Sequence, residues 1–331
     1  MKLVFTARAA AGANTRAGWR DYLQMARLDH MTKHVFIVPG IVLALVLRGM
    51  PDRWPLAAIV LGLASAVCIA SANYIINEWL DRDFDAFHPD KSKRPAVTTA
   101  MSPLVVYAMY ALASTAGIGL GYLVGPLFLL VSLLFWLSGV IYNVRPLRTK
   151  DRAYLDVLSE SINNPIRMML GWAMIDEFTI APSSALLAFW MGGAFLMGAK
   201  RLSEYREIAA GPGVDVLHRY RRSFQFYTQE SLMVSCFAYG LLATFLMGVF
   251  LIKYRIEYVL CLPFIVLLFA HYLALSMRAG SVAQKPEKLF REPRLMLISA
   301  LTAGMLAVFS VVNVPQMQEF SLPHIVTLPL R

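Results

Sequence analysis

An all-α polytopic membrane protein, a bundle of nine transmembrane helices, is the fold class the sequence predicts, and three observations predict it. The 331 residues are 58% hydrophobic and only 16% charged, whereas soluble domains average about 45–50% apolar and about 25% charged. Apolar runs near the roughly 20 residues that a helix needs to cross a bilayer recur along the whole chain. The basic residues gather in the segments between alternate runs.

Taken in order, the runs fall at about 34–50, 55–79, 103–122, 124–143, 154–175, 181–200, 228–251, 255–277 and 295–314. The fifth is the least apolar, because Asp156, Glu160 and Arg167 interrupt it. Residues 1–33 form a basic N-terminal arm, 34–314 the membrane domain, and 315–331 a short non-cytoplasmic tail. The arm carries Lys2, Arg8, Arg16 and Arg20 in its first twenty residues, without the continuous apolar core of a secretory signal. It is expected to lie on the cytoplasmic face.

With the N-terminus inside, segments 1–33, 78–102, 144–153, 199–227 and 278–294 hold 25 of the 31 Lys and Arg residues. The positive-inside rule then orients the chain, N-terminus cytoplasmic and C-terminus outside, as a multi-pass protein of the inner (cytoplasmic) membrane. The formal charge of +10 is mostly this topogenic signal, and no nucleic-acid partner is implied. Cys68, Cys236 and Cys261 all fall in apolar runs without metal-ligand spacing, which predicts buried free thiols.

Chemistry concentrates after the second run, in "NEWLDRDFDAFHPDKSKRP" (77–95). Residues four apart lie about 40° apart around a helix, so Asn73, Asn77, Asp81 and Asp85 share one stripe while Asp83 points away. Two carboxylates at i and i+4 repel unless a cation lies between them. An oxygen-rich cluster ending a span suits Mg²⁺, which takes one or two carboxylates and completes its shell with water and substrate phosphates. A solvated helix end would explain acids in the last turn, but the stripe starts at Asn73, at membrane depth, where polar groups are costly. His88, Lys91, Lys93 and Arg94 follow directly. Acids for a metal and then bases for phosphate oxygens form a grip for a metal-bound diphosphate.

Asn77-Glu78-x-x-Asp81-x-x-x-Asp85 resembles the first acidic motif, N-D-x-x-D-x-x-x-D, of the UbiA family of intramembrane prenyltransferases, and the resemblance extends over roughly 27–310. It implies a nine-helix fold, a cytoplasmic-side active site and Mg²⁺ on Asn77, Asp81 and Asp85. Glu78 stands where the family usually has Asp. After the sixth span, where the family carries a second aspartate-rich motif, this chain reads "GAKRLSEYREI", with Lys200, Arg201 and Glu204. That stretch, His88-Pro89-x-Lys91-x-x-Arg94-Pro95 and "YRRSFQFYT" (220–228) resemble the branch containing decaprenyl-phosphate phosphoribosyltransferase.

Other loops supply further candidates. "YNVRPLRTKDRAYLDVLSESINNPIR" (142–167) offers Tyr142, Arg148, Lys150, Asp156, Asn164 and Arg167. Loop bases are equally explained as topogenic charge, but Arg167 within a span needs an acidic partner or a bound anion. The Asn163-Asn164-Pro165 sequence is expected to break the fifth helix and let freed backbone line a cavity. Lys200 and Glu204 are spaced for a simple i, i+4 ion pair. His218, Arg219, Arg221 and Arg222 read as a cluster for lipid headgroups. Arg27 and Lys33, before the first span, are placed to reach a lipid phosphate.

The resemblance implies an Mg²⁺-dependent transferase that moves 5-phosphoribosyl from its 1-diphosphate to a decaprenyl-like polyprenyl phosphate, in synthesis of a lipid-linked pentose donor for the cell envelope. Its partners are then the lipid phosphate, the phosphorylated sugar donor and membrane lipids, with homo-oligomerisation left open. The alternative shares fold and first motif: a UbiA-type aromatic prenyltransferase of quinone or haem synthesis, which predicts acids where Lys200 and Arg201 stand. A transporter would place its charges near the bilayer midplane; here they cluster in the loops.

Overall fold

The computed structural model describes residues 15–278, 280–281, 289 and 291–317, so most of the final basic segment, the tail and the first fourteen residues lie outside it. Among the described residues the fold is helical and has no strand beyond an isolated bridge between Arg16 and Ala100. Its helices are α1 (Trp19–Met25), α2 (Val38–Arg48), α3 (Leu56–Asp85), α4 (Pro95–Thr98), α5 (Pro103–Val124), α6 (Pro126–Asn143), α7 (Leu155–Ser161), α8 (Asn163–Ala173), α9 (Ser183–Ala210), α10 (Val214–Tyr220), α11 (Gln229–Tyr254), α12 (Leu262–Ser276) and α13 (Pro293–Val311).

Among the described residues six helices are long and apolar enough to cross a membrane: α3, α5, α6, α11, α12 with the preceding 3₁₀ turn, and α13. The other three expected spans are built differently. The first begins as a 3₁₀ segment, Leu28–Ile37, and becomes α-helical only for the eleven residues of α2. The fifth is two short helices, α7 and α8, joined at Ile162. The sixth, α9, is long enough but not sufficiently apolar, with charged residues through its second half.

The break between α7 and α8 follows from Pro165, which has no N–H for the carbonyl of Ser161. That carbonyl approaches Gly193 of α9, where an added Cβ would lie 3.2 Å from it. The indole of Trp190 donates to the Leu158 carbonyl at 2.9 Å. The broken helix thus packs on α9, whose Trp190 and Gly193 face its last turn.

Small residues set the helix spacing. Ser65 of α3 donates to the Gly117 carbonyl of α5 at 2.7 Å, and a Cβ on Gly117 would meet Ile69 at 2.6 Å. Such close approach is how helices associate where lipid is as apolar as the side chains. The core runs through Ile37, Ala66, Ile69, Phe128, Phe135, Leu170 and Trp172. The arm joins the same body: Met25 and Ala26 pack with Ile75, Trp79, Ala96 and Val106.

Candidate active site

One end of the bundle collects the polar loops, and the α3 stripe leads into it. Asn73 donates to the Phe135 carbonyl at 3.1 Å, and Asn77 to Asn143 Oδ1 at 2.6 Å. Asp81 Oδ1 meets Arg148 Nη2 and Lys150 Nζ, each at 2.7 Å, and Asp85 is ion-paired with Arg94. Asp83 points away, its side chain 76% exposed, as the helical period requires. Glu78 is off the stripe. It is buried, bonded to Arg27 at 3.1 Å and to the Ala96 amide at 3.4 Å, so it fixes the arm and the start of α4.

The loop after α6 presents Arg148 and Lys150 by a tight path. Arg148 and Tyr154 have φ of +29° and +64°, which side chains other than glycine rarely adopt. Both are held from outside the loop: Arg148 by Asp81, and the Tyr154 amide by the Tyr227 hydroxyl at 2.5 Å. Conformations of this kind persist where the surroundings over-determine them. Lys150 also donates to Asn143 Oδ1 at 2.7 Å, tying it to the amide that receives Asn77.

Arg201 stands at the centre of a second network. It is 2% exposed, with Glu160 at 2.7 Å, Glu204 at 3.1 Å and Asp156 at 3.4 Å. Asp156, fully buried, also accepts from Tyr227 at 2.7 Å and Ser223 at 3.0 Å and faces Arg221 at 3.3 Å. Tyr142 donates to Glu160 and accepts from Arg221, both at 2.9 Å. The third element of the site is the 86–94 loop. Its His88 lies 3.3 Å from Glu204 and packs edge-on against Tyr220, while Lys91 donates to the Tyr220 hydroxyl and lies 3.9 Å from Glu204.

The pocket between these elements is lined by Asp81, Phe84, Asp85, Lys91, Arg148, Lys150, Asp151, Tyr220, Arg221 and Arg222. Burial pushes the Lys91 ammonium down to about 7, although Glu204 and Asp85 pull the other way. Burial likewise pushes Lys150 down to about 8, against the attraction of Asp81. Burial alone would raise the Glu204 carboxyl, but Lys91, the His88 hydrogen bond and Arg201 hold it well below the usual range. Burial thus penalises both ammonium charges, and an anion between them would favour their charged forms.

The structure thus brings Asp81, Asp85, Lys91, Arg148 and Lys150 onto one pocket, with Asn77, Arg94, Tyr142, Asp156 and Glu204 bonded directly to its walls or to their partners. Three sequence expectations are corrected. Glu204 pairs with Arg201, His88 and Lys91 instead of Lys200, because α9 turns that face toward the 86–94 loop. Arg201 is enclosed by carboxylates and does not line the pocket. Arg221 and Arg222 leave the headgroup cluster: α10 ends at Tyr220, Arg221 is extended and turns into the pocket, and Arg222, half exposed, lines its rim, while Arg219 stays exposed. Asn164 lies against Gly193 at the α8–α9 contact, and Arg167 and Lys33 lie apart from the pocket lining, over the rings of Phe135 and Tyr74. Sequence reasoning missed Glu160, Asn143 and Tyr220; the acid inside an apolar run was the available signal for Glu160.

Among the described residues no three His, Cys, Asp or Glu side chains converge as a metal cage. The donor chemistry nonetheless fits Mg²⁺ arriving with a diphosphate. Asp81, Asp85 and the Asn77 amide are hard oxygen donors on one stripe, and such a site is completed by phosphate oxygens and water. The cations now on Asp81 and Asp85 are suited to the phosphates of the same ligand.

The model of the UbiA prenyltransferase family matches residues 35–314. The chain is 28% identical over 244 residues to a protoheme IX farnesyltransferase of Alkalihalophilus pseudofirmus, covering 70% of this chain and 76% of that protein. It is 29% identical over 123 residues to a 4-hydroxybenzoate octaprenyltransferase of Aeromonas hydrophila, covering 37% and 42%. The fold resembles a UbiA homolog from Archaeoglobus fulgidus bound to DMAPP and Mg²⁺, with a TM-score of 0.67 and 22% identity over 88% of this chain and 100% of that one. With a helical membrane fold and the family match over most of its length, the chain belongs to the UbiA prenyltransferase family.

Proposed function

We propose that the chain is an Mg²⁺-dependent intramembrane transferase that breaks the C1–O bond of a diphosphate-activated donor. The observation that carries this reading is the pocket in which Asp81 and Asp85 face Lys91, Arg148, Lys150 and Arg221. Asp81, Asp85 and Asn77 would hold Mg²⁺, which would neutralise charge on the departing diphosphate. Arg148 and Lys150 pass from Asp81 to phosphate oxygens as donor binds, and Lys91 covers them from the 86–94 loop. Arg221, fixed by Asp156 and Tyr142, presents a fork that matches phosphate bidentately. Loop, arm and pocket together form the proposed cytoplasmic face, by the positive-inside rule.

For the donor, the names of the relatives support a polyprenyl diphosphate and an aromatic acceptor, in haem- or quinone-type chemistry. This was the alternative in the sequence reading and now leads. One observation favours phosphoribosyl transfer to a polyprenyl phosphate: Lys200 and Arg201 occupy the second acidic motif of typical members, and Arg222 adds to a pocket already rich in cations.

The test is to incubate purified protein with Mg²⁺ and either farnesyl diphosphate plus 4-hydroxybenzoate or protohaem, or phosphoribosyl diphosphate plus decaprenyl phosphate. Product lipids are identified by mass spectrometry. Turnover should appear with one donor and vanish in Asp81→Asn, in Asp85→Asn and on chelation. Full activity in either variant would sink the assigned role of the stripe.

A further inference from the structure

Arg167 has no place in the diphosphate pocket, and its surroundings do not account for it. It is 7% exposed, its Nε has no hydrogen-bond partner, and among the described residues no carboxylate lies within ion-pairing distance. Its contacts are the Phe135 ring, 4.9 Å from the guanidinium, and the Asn163 carbonyl at 3.5 Å. The groups that act on its charge electrostatically are the Tyr74 phenol and then Glu160, whose Oε2 is already held by Arg201 and Tyr142. A buried guanidinium in a membrane helix that lacks its own counter-ion marks an anion site.

A second strand of the chain converges there. The 3₁₀ segment before α2 contacts α8 backbone to backbone: a Cβ on Gly171 would lie 2.0 Å from the Ile37 carbonyl, and one on Gly40 1.8 Å from that of Met168. This contact brings Lys33 and His34 into the electrostatic field of Arg167 and Glu160. His34 Nδ1 is buried without a partner, and Lys33 sits over the Tyr74 ring at 5.4 Å. Tyr74 is seven residues before Asp81 on the same helix, about 10 Å along its axis at 1.5 Å per residue. A diphosphate gripped at Asp81 lies that far along the stripe from these charges, and Glu160, the acid coupled to them, is already engaged by Arg201 and Tyr142.

We propose that Arg167, Lys33 and His34 form a second oxyanion site that holds the acid group of the acceptor substrate, a carboxylate or a phosphate monoester. The assignment rests on the reading of the chain as a two-substrate transferase but not on which donor it uses. An aromatic acid and a lipid phosphate present the same chemistry to a guanidinium–ammonium pair. Seated there, a carboxylate anchors the acceptor by a group that does not react, whereas a phosphate monoester presents its own oxygen, which bonds to C1 as the C1–O bond to diphosphate breaks.

The test measures binding without turnover, on the full chain in detergent, with three probes: farnesyl phosphate, 4-hydroxybenzoate and Mg²⁺ with inorganic diphosphate. Arg167→Met should weaken whichever acid probe the wild type binds by about tenfold or more, while Mg²⁺–diphosphate binding changes less than about twofold. Loss for farnesyl phosphate assigns the phosphate source; loss for 4-hydroxybenzoate assigns the carboxylate. Retained diphosphate binding also shows that the variant folds. If Arg167→Met does not fold, Lys33→Met on the other element should show the same selective loss. Asp81→Asn should do the reverse, so failure of the donor site and failure of this site give different patterns. The proposal is overturned if neither acid probe binds the wild type or if folded variants bind them unchanged. A parallel fall in diphosphate affinity overturns it too.

Discussion

Arg201 illustrates what a buried charge does at the scale of one residue. Glu160, Glu204 and Asp156 surround it, and Arg221 faces Asp156 from the other side. Removing one member of a buried ion-pair network costs about 3–5 kcal/mol, because the remaining charges stay buried. Arg201→Met should therefore lower the thermal unfolding temperature in detergent markedly, before any question of catalysis, whereas Asp83→Asn should leave it unchanged. Equal unfolding temperatures for both variants would show that the network does not hold the site together. Lys91 gives a pH signature. Its ammonium is pushed by burial to about 7, below an ordinary lysine, so the unfolded chain binds the extra proton between that value and the usual range. Stability contributed through Lys91 accordingly rises with pH across that window. Donor binding runs the other way, since only the protonated form attracts phosphate. kcat/KM for the donor should fall as pH rises through about 7, and Lys91→Arg should shift that limb upward, toward the value of about 8 at Lys150. An identical profile in the variant would remove Lys91 from donor binding. At this scale the stripe and Lys91 were legible because helical spacing places them without tertiary information. Arg221 was not, because its direction is set by where α10 ends and by Asp156, which lies far away in sequence.

Elements were legible where composition alone decides them. The six apolar helices coincide with long runs of Leu, Ile, Val and Phe. The others depend on neighbours that no local pattern contains. Residues 28–37 stay 3₁₀, and α2 is short, in the region where this segment presses on α8 through Gly40 and Gly171. The break before α8 was visible in Pro165, but the residues it packs against, Trp190 and Gly193, come from another helix. A direct test is Gly40→Ala. The new methyl would sit 1.8 Å from the backbone oxygen of Met168, where no rotamer change can relieve it. Overpacking typically costs about 1–3 kcal/mol, and a clash with backbone belongs at the upper end or beyond. Because Lys33 and His34 ride on the displaced segment, binding of the acid probe should weaken together with thermal stability. Gly119→Ala, which meets nothing within 4 Å, is the matched control and should be silent in both measurements.

Across the whole molecule, side-chain contacts sort the loops into two ends. The arm meets the 95–102 region through Ala17 and Ala100, the 86–94 loop meets Glu204 and Tyr220, and the 144–154 loop meets Asp81 and Tyr227. At the other end Arg48 pairs with Asp176 at 2.7 Å, and Arg255 bonds Asn313 at 2.8 Å. These are the same two sets into which alternate apolar runs divide the charges, so the bundle and the charge pattern agree on which loops belong together. Neither says which side faces the cytoplasm; we propose that the basic set does, because basic loops are retained on that side during insertion. Pro212 is exposed in the loop between α9 and α10, in the basic set, and Phe178, 87% exposed, lies between α8 and α9 in the opposite set. Single cysteines at these two positions, in a chain with Cys68, Cys236 and Cys261 replaced by alanine, report orientation directly. A membrane-impermeant maleimide added to intact spheroplasts should label Phe178→Cys and spare Pro212→Cys, and inside-out vesicles should reverse the pattern. If spheroplasts label Pro212→Cys instead, the pocket opens away from the cytoplasm. A soluble phosphorylated donor made inside the cell could not then reach Lys91 and Arg221, and the reading of the pocket as a cytoplasmic diphosphate site would fail with the orientation.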